Sequence, residues 1–197
     1  MTKLAALLLL ALPLQASAGA QIYEPLAVSV QARLSALVSD RAPASMIFRS
    51  SEDGQRWLNE MEKRLPRSMP DRKQRLELLR TVHYEALRAR LDPQLVLGII
   101  EVESGFRKYA VSTAGARGYM QVMPFWLKLI GQPRHNLFHM RTNVAYGCAI
   151  LRHYLDVENG DYFRALGRYN GSLGKPEYPS LVLSAWKGRW KYDGPTA

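Results

Sequence analysis

The chain has 197 residues, with 27 Lys or Arg against 17 Asp or Glu, a formal net charge of +10. That length favours one domain with a substantial core, and 47% hydrophobic residues exclude wholesale disorder. The 14 Gly and 11 Pro are too few for a fibrous or low-complexity protein.

Residues 1–20 read as a secretory signal peptide. Lys3 supplies a short positive region, Leu4 to Leu12 is a continuous apolar run, and Pro13 breaks it. Ala16-Ser17-Ala18 and Ala18-Gly19-Ala20 both place small residues at cleavage spacing. The run is too short to span the ~30 Å of a bilayer's hydrocarbon. The only Cys, Cys148, lies deep in the chain, so a lipid anchor next to the cleavage site is not expected. Without a second Cys there is no intramolecular disulfide, and Cys148, beside Ala145, Ala149 and Ile150, reads as a small buried hydrophobe. A basic exported protein is drawn to the polyanions of an envelope, such as peptide-stem carboxylates, teichoic acids and anionic lipids. Export disfavours nucleic acid as a partner.

Residues 21–72 read as a helical N-terminal extension with no chemistry of its own, either packed on the rest of the chain or a mobile leader. Pro25 to Val38 carries an amphipathic pattern (Leu26, Val30, Leu34, Leu37), Ala42 to Ser51 is loop-like, and Glu52 to Leu65 places Trp57, Leu58, Met61 and Leu65 on one stripe. Pro66 to Pro70 is a break. From Asp71 to about Arg90, Leu76, Leu79, Val82, His83 and Leu87 share a stripe. Asp92-Pro93 then starts a helix that ends at Ser104-Gly105, Asp serving as N-cap and Pro as first helical residue. A Ser/Thr/Ala/Gly-rich loop covers Ala110 to Gly118, and Pro124 opens a short helix ending at Gly131. Further helices are expected over Asn143–Val157, Asp161–Arg168 and Pro176–Lys187. The fold class is all-α, a single globular domain over residues 73–190, with room for a small sheet or hairpin in the Gly-rich loop.

One acid sits on an apolar face. Val96, Ile99 and Ile100 lie at i, i+3 and i+4, and Glu103 completes the series at i+7, whereas Glu101 points roughly the other way. Desolvation raises a carboxyl pKa, and a Glu that keeps its proton near neutrality is what a general acid needs. The bland alternative is a Glu emerging into solvent at the helix end. No Asp or Glu occurs from Ser104 to Leu155, although most glycosidases use two carboxylates. Asp156, Glu158, Asp161 and Glu177 are the residues that folding could bring back as a partner. If none arrives, the chemistry must use one acid and a nucleophile carried by the substrate.

Several ordered motifs resemble the soluble lytic transglycosylase family (the SLT domain, transglycosylase family 1), which has a goose-type lysozyme-like fold. Glu103-Ser104 matches its Glu-Ser pair, and Gly115-Ala116-Arg117-Gly118-Tyr119-Met120-Gln121-Val122-Met123-Pro124 matches its Gly-Ala-x-Gly-Leu-Met-Gln-Ile-Met-Pro segment, with Tyr119 in place of Leu. Asn143, Gly147 and Tyr154-Leu155 match a later helix, and Ala165 to Gly171 matches Ala-x-x-x-Tyr-Asn-x-Gly in part. Glu177 to Val182 resembles the family's Tyr-Val segment only loosely. The resemblance covers about Arg80 to Trp186 and leaves roughly the first 75 residues unplaced.

The resemblance implies a lyase on peptidoglycan glycan strands. Glu103 would protonate the oxygen between N-acetylmuramic acid and N-acetylglucosamine, then as carboxylate take the proton of the muramoyl 6-hydroxyl, leaving a 1,6-anhydromuramoyl end. An intramolecular nucleophile has a high effective molarity. Ser112 would lie near the N-acetyl group or the acid, or else satisfy loop backbone. Gln121 offers donor and acceptor to sugar groups. Met123 would pack on a sugar face or in the core. Gly115 and Gly118 would admit substrate to the backbone or shape a turn. Tyr169 would hydrogen-bond the acid, or be a buried structural Tyr, and Asn170 would bind sugar or cap a turn. Tyr119, Trp126, Trp186 and Trp190 could stack on sugars, with core packing the plainer role. His83, His135, His139 and His153 lack ligand spacing, so neither metal nor cofactor is expected. A hydrolytic lysozyme and a non-enzymatic wall-binding module are the rival readings. The lone small domain also fits service beside a secretion or conjugation apparatus.

Overall fold

The computed structural model describes residues 21–195 except 41, 43, 66 and 68, so the signal-peptide reading of residues 1–20 lies outside the described residues. Among the described residues eight helices occur in order: α1 (Val28–Ser39), α2 (Ser51–Glu62), α3 (Arg72–Arg88), α4 (Pro93–Ser104), α5 (Phe125–Ile130), α6 (Met140–Val157), α7 (Tyr162–Asn170) and α8 (Glu177–Lys187). No strand forms among the described residues. The anticipated sheet or hairpin is reduced to two isolated antiparallel bridges, Val111 with Arg117 and Arg117 with Val122. The fold is all-α.

Local chemistry sets the helix starts. Ser50, Asp71, Asp92 and Asp161 each accept a hydrogen bond from a backbone N–H of the first turn, satisfying donors that a helix start leaves without partners. His139 does the same for α6 through the N–H of Thr142, so α6 begins at Met140, a turn earlier than Asn143. Gly105 and Gly171 adopt left-handed conformations that stop α4 and α7.

α6 is the axis of the molecule and packs on α1, α3 and α7, while α4 packs on α3 and α8. Val144, Tyr146, Ala149, Ile150 and Leu151 on α6 are completely buried. Each large apolar side chain so buried contributes about 1.5–3 kcal/mol, and cutting Ile150 to Ala would cost about 2–5 kcal/mol.

Residues 21–72 are an integral layer. Leu34, Val38, Trp57, Leu58, Met61 and Leu65 belong to the same hydrophobic cluster as the residues of α3 to α8. A polar network reinforces the contact. Arg141 on α6 donates to Glu85 on α3 at 2.8 Å and to Asp40 after α1 at 2.6 Å, and the Tyr84 hydroxyl donates to Asp40 at 2.8 Å. Glu85 is 3% exposed, and its second oxygen accepts from Arg88 at 2.8 Å, so this buried carboxylate is paired on both sides.

Candidate active site

α4 is apolar almost all round, because α3 and α8 both cover it. Glu103, one residue from its end, is 5% exposed. Glu101 faces elsewhere: it accepts from Arg189 Nη1 at 2.8 Å and from Trp190 Nε1 at 2.6 Å. The i+7 position thus carries Glu103 inward while its neighbour by two residues is neutralised near the surface.

The Glu103 carboxyl meets mostly neutral chemistry. Its Oε1 accepts a hydrogen bond from the Tyr178 hydroxyl at 2.6 Å. Its Oε2 is buried without a partner in regular hydrogen-bond geometry. Burial pushes the pKa from 4.5 up to about 8; hydrogen bonding from Tyr178, and less from Asn170, opposes the rise. Because desolvation is the larger effect, the acid holds its proton at neutral pH.

None of the four anticipated partner carboxylates contributes to that shift. Asp156 is bound by Arg33 at 2.5 Å and Arg152 at 2.8 Å. Glu158 is paired with Arg164 and Arg168. Asp161 caps α7, and Glu177 is exposed at the start of α8.

The loop between α4 and α5 is fastened to α6. Asn143 Nδ2 donates to the carbonyls of Arg117 at 2.8 Å and Leu137 at 2.9 Å, and its Oδ1 accepts from the Met120 N–H at 2.7 Å. Gly118 has φ +77°, and a Cβ there would lie 2.5 Å from Asn143 Nδ2. One turn on, a Cβ on Gly147 would lie 2.4 Å from Met120 Sδ. Asn143 and Gly147 therefore form one receptor, the first gripping the loop backbone and the second making room for its side chain.

Several anticipated ligand contacts are instead spent within the protein. Gln121 is 1% exposed, and its Nε2 donates to the carbonyls of Ala110 at 3.1 Å and Gly118 at 2.9 Å. Its amide nitrogen therefore braces the loop and is not a free donor for sugar. Tyr169 is fully buried and its hydroxyl donates to the Met120 carbonyl at 2.7 Å; the bond to the acid anticipated for it is made by Tyr178. Burial, and after it the charge of Glu103, holds the Tyr169 pKa well above the usual phenol value. Asn170, 5% exposed at the end of α7, is beside the acid. Ser112 accepts from the Ala116 N–H at 3.1 Å, the loop-satisfying alternative. Ser104 is buried and its hydroxyl donates to the Ile100 carbonyl at 3.0 Å. Met123 is half-buried at the loop's end. Gly115 has φ +87° and open space where a Cβ would stand.

The aromatic candidates pack inward. Tyr119, Trp126 and Trp190 are at most 2% exposed. Trp126 Nε1 donates to Gln21 Oε1 at 3.0 Å, and Trp186 Nε1 donates to Asp92 at 2.8 Å. Sequence reasoning missed Gln21 and Tyr178. Gln21 is buried, and its side chain touches Trp126, the Met123 N–H and the Gln121 carbonyl. Tyr178 sits in the segment whose likeness to the family is loosest, and only its place before Pro179 at the start of a helix sets it apart.

The profile of the transglycosylase SLT domain matches residues 80–177, from α3 to the first residue of α8. Residues 80–177 are a transglycosylase SLT domain. A transglycosylase of Enterobacteria phage PRD1 is 33% identical over 109 residues, covering 55% of this chain and 40% of the phage protein. A membrane-bound lytic murein transglycosylase C of Histophilus somni is 39% identical over 100 residues, covering 43% of this chain and 28% of that protein. This SLT chain thus spans less than half the length of those relatives. The solved lytic transglycosylase Slt of Pseudomonas aeruginosa, an inactive mutant, is 24% identical with a TM-score of 0.44 over 54% of this chain and 20% of that one. No helix among the described residues of this SLT protein is long and apolar enough to cross a membrane.

Proposed function

We propose that this SLT protein is a peptidoglycan lytic transglycosylase of the bacterial envelope, in which Glu103 acts first as acid and then as base. One observation carries the reading: a buried carboxyl with a pKa of about 8 and no second carboxylate contributing to its environment. Protonated Glu103 gives its proton to the glycosidic oxygen between N-acetylmuramic acid and N-acetylglucosamine as that bond breaks. The resulting carboxylate accepts a hydrogen bond from Tyr178, which favours the charged form. It then takes the proton of the muramoyl 6-hydroxyl as that oxygen closes on the anomeric carbon. The acid regains its proton, no water is consumed, and the product ends in a 1,6-anhydromuramoyl residue.

In this scheme Asn170 and Tyr178 adjust the acid, while Gln121 holds the loop through Ala110 and Gly118. Half-buried Met123 would offer its side chain to a sugar's apolar face. Retaining or inverting hydrolysis would need a second carboxylate to bind the sugar or position water, and Asp156 and Asp161 are engaged elsewhere. Export through residues 1–20 would bring the protein to its substrate.

Mass spectrometry of purified sacculi after digestion tests the reading. The wild-type protein is expected to give anhydromuramoyl ends, and Glu103→Gln to give none while still sedimenting with sacculi. Reducing muramoyl ends would overturn it, as would full activity in the variant.

A further inference from the structure

Away from Glu103, a cavity opens among α1, the end of α3 and the second half of α6. The cavity, of about 520 Å³, is lined by Arg33, Arg88, Arg90, Arg152 and Asp156, with Ala36, Leu37 and Ala89 supplying apolar wall. Its side-chain bonds run to α1, α3 and α6 and not to Glu103 or the loop beside it.

The charges do not balance. Arg88 is satisfied: it donates to Glu85 at 2.8 Å and to the Leu37 carbonyl at 3.0 Å, and lies 3.6 Å from Asp40. Against the other three guanidiniums the cavity sets a single carboxylate, Asp156. Arg33 and Arg152 both bind Asp156, at 2.5 and 2.8 Å. The Nε–H of Arg152 is buried with no acceptor. Arg90 is exposed, and its guanidinium pairs with no described residue. The cavity therefore holds two positive charges in excess and at least one buried donor that lacks a partner.

The backbone adds an independent sign. Arg90 has φ +54° and closes α3: its N–H donates to the Leu87 carbonyl and the N–H of Leu91 donates to that of Ala86, both at 2.9 Å. This paired closure strongly favours glycine at the left-handed position. An arginine there tolerates a strained backbone, and strain of this kind collects at binding sites. Its carbonyl also accepts from Arg152 Nη1 at 3.5 Å, so the strained turn orients a second arginine of the cavity.

We propose that this cavity binds a multiply charged oxyanion, a phosphate or a cluster of carboxylates, held by Arg33, Arg90 and Arg152. Planar guanidiniums present paired donors that match the oxygens of either group. In an envelope the phosphate source would be a phosphorylated polymer or lipid headgroup, and the carboxylate source a peptide stem. The site stands apart from Glu103 and is independent of the chemistry there.

Isothermal titration calorimetry with inorganic phosphate and with citrate, at constant ionic strength set by sodium chloride, tests it. The wild-type protein is expected to bind at least one probe saturably at one site, and the tighter probe identifies the source. Arg90→Gly relieves the left-handed backbone while removing the charge, so it is expected to fold at least as well and to bind about tenfold more weakly, the loss of one charge-assisted hydrogen bond. Arg33→Gln is expected to weaken binding in the same direction, and Glu103→Gln to leave it unchanged. Absence of saturable binding by either probe, unchanged binding in both arginine variants, or loss of binding in Glu103→Gln would overturn the proposal.

Discussion

Tyr178 donates a 2.6 Å hydrogen bond to Oε1 of Glu103 across 75 residues of sequence, joining the start of α8 to the end of α4. The bond acts on the charged form of the acid, because a hydroxyl donor stabilises a carboxylate more than a neutral carboxyl. Tyr178→Phe should therefore move the Glu103 pKa further up, since burial stays and the main opposing contribution goes. The high-pH limb of kcat/KM is expected to shift upward. The carboxylate formed midway would lose a charge-assisted bond worth about 1.5–3 kcal/mol, so kcat should fall about 10–100-fold. A purely structural tyrosine would lower the rate without moving the limb.

The raised pKa also makes a stability prediction. Between pH 4.5 and about 8 the folded protein keeps a proton on Glu103 that the unfolded chain has released. Stability therefore falls as pH rises through that window, and below pH 4.5 the group contributes no penalty. Glu103→Gln carries no such burden. The Tm of the variant minus that of the wild type should be smallest near pH 4 and grow up to pH 8, then level off. A difference independent of pH would contradict the assignment of the proton.

Asn143 and Gly118 are fitted to each other, and neither tolerates change. Asn143→Ala would strand the Met120 N–H and the carbonyls of Arg117 and Leu137, at about 2–4 kcal/mol for several buried groups left without partners. Gly118→Ala would meet Asn143 Nδ2 at 2.5 Å on a backbone that disfavours a side chain. Thermal unfolding should show both losses, and turnover should fall at temperatures where each variant is still folded. Gly147→Ala meets the Met120 side chain, its flexible Sδ and Cε nearest and its Cβ next. Trimming Met120 to Ala in that background should restore part of the stability, a non-additive result.

The helices were readable from sequence because their signals are local. Apolar stripes, with Asp92-Pro93 as a start and Gly105 and Gly131 as stops, outline segments that correspond to the eight helices among the described residues. The inward turn of Glu103 followed from the same periodicity. The surroundings of that acid did not, because Tyr178 and Asn170 reach it through space and no spacing rule connects them to position 103. Likewise Gln121 looks like a ligand-binding amide until the chain folds and its nitrogen meets the carbonyls of Ala110 and Gly118. Asn143 and Gly147 are one helical turn apart, yet their purpose appears only with Met120 laid against them.

Residues 21–72 yielded amphipathic stripes but no destination for them. Trp57, Leu58 and Met61 on α2 and Leu34 on α1 are at most 1% exposed against the rest of the core. A chain beginning at residue 73 would expose all of these contacts. It is expected to be insoluble or to lack a cooperative thermal transition, and a stable, cooperative fragment would show the layer to be dispensable. Gln21→Ala is a milder probe: it removes the acceptor for Trp126 Nε1 and the Met123 N–H and should cost about 1–3 kcal/mol.

The proton on Glu103 can be observed directly. In protein labelled with carbon-13 at the Glu side-chain carboxyl, the resonance missing from Glu103→Gln identifies the acid, and its shift can be followed from pH 4 to 10. A midpoint near 8 is expected, far above the 4.5 of an ordinary Glu. A midpoint near 4.5 would mean that the acid is ionised at neutral pH and has no proton to give, and the single-acid account would fail.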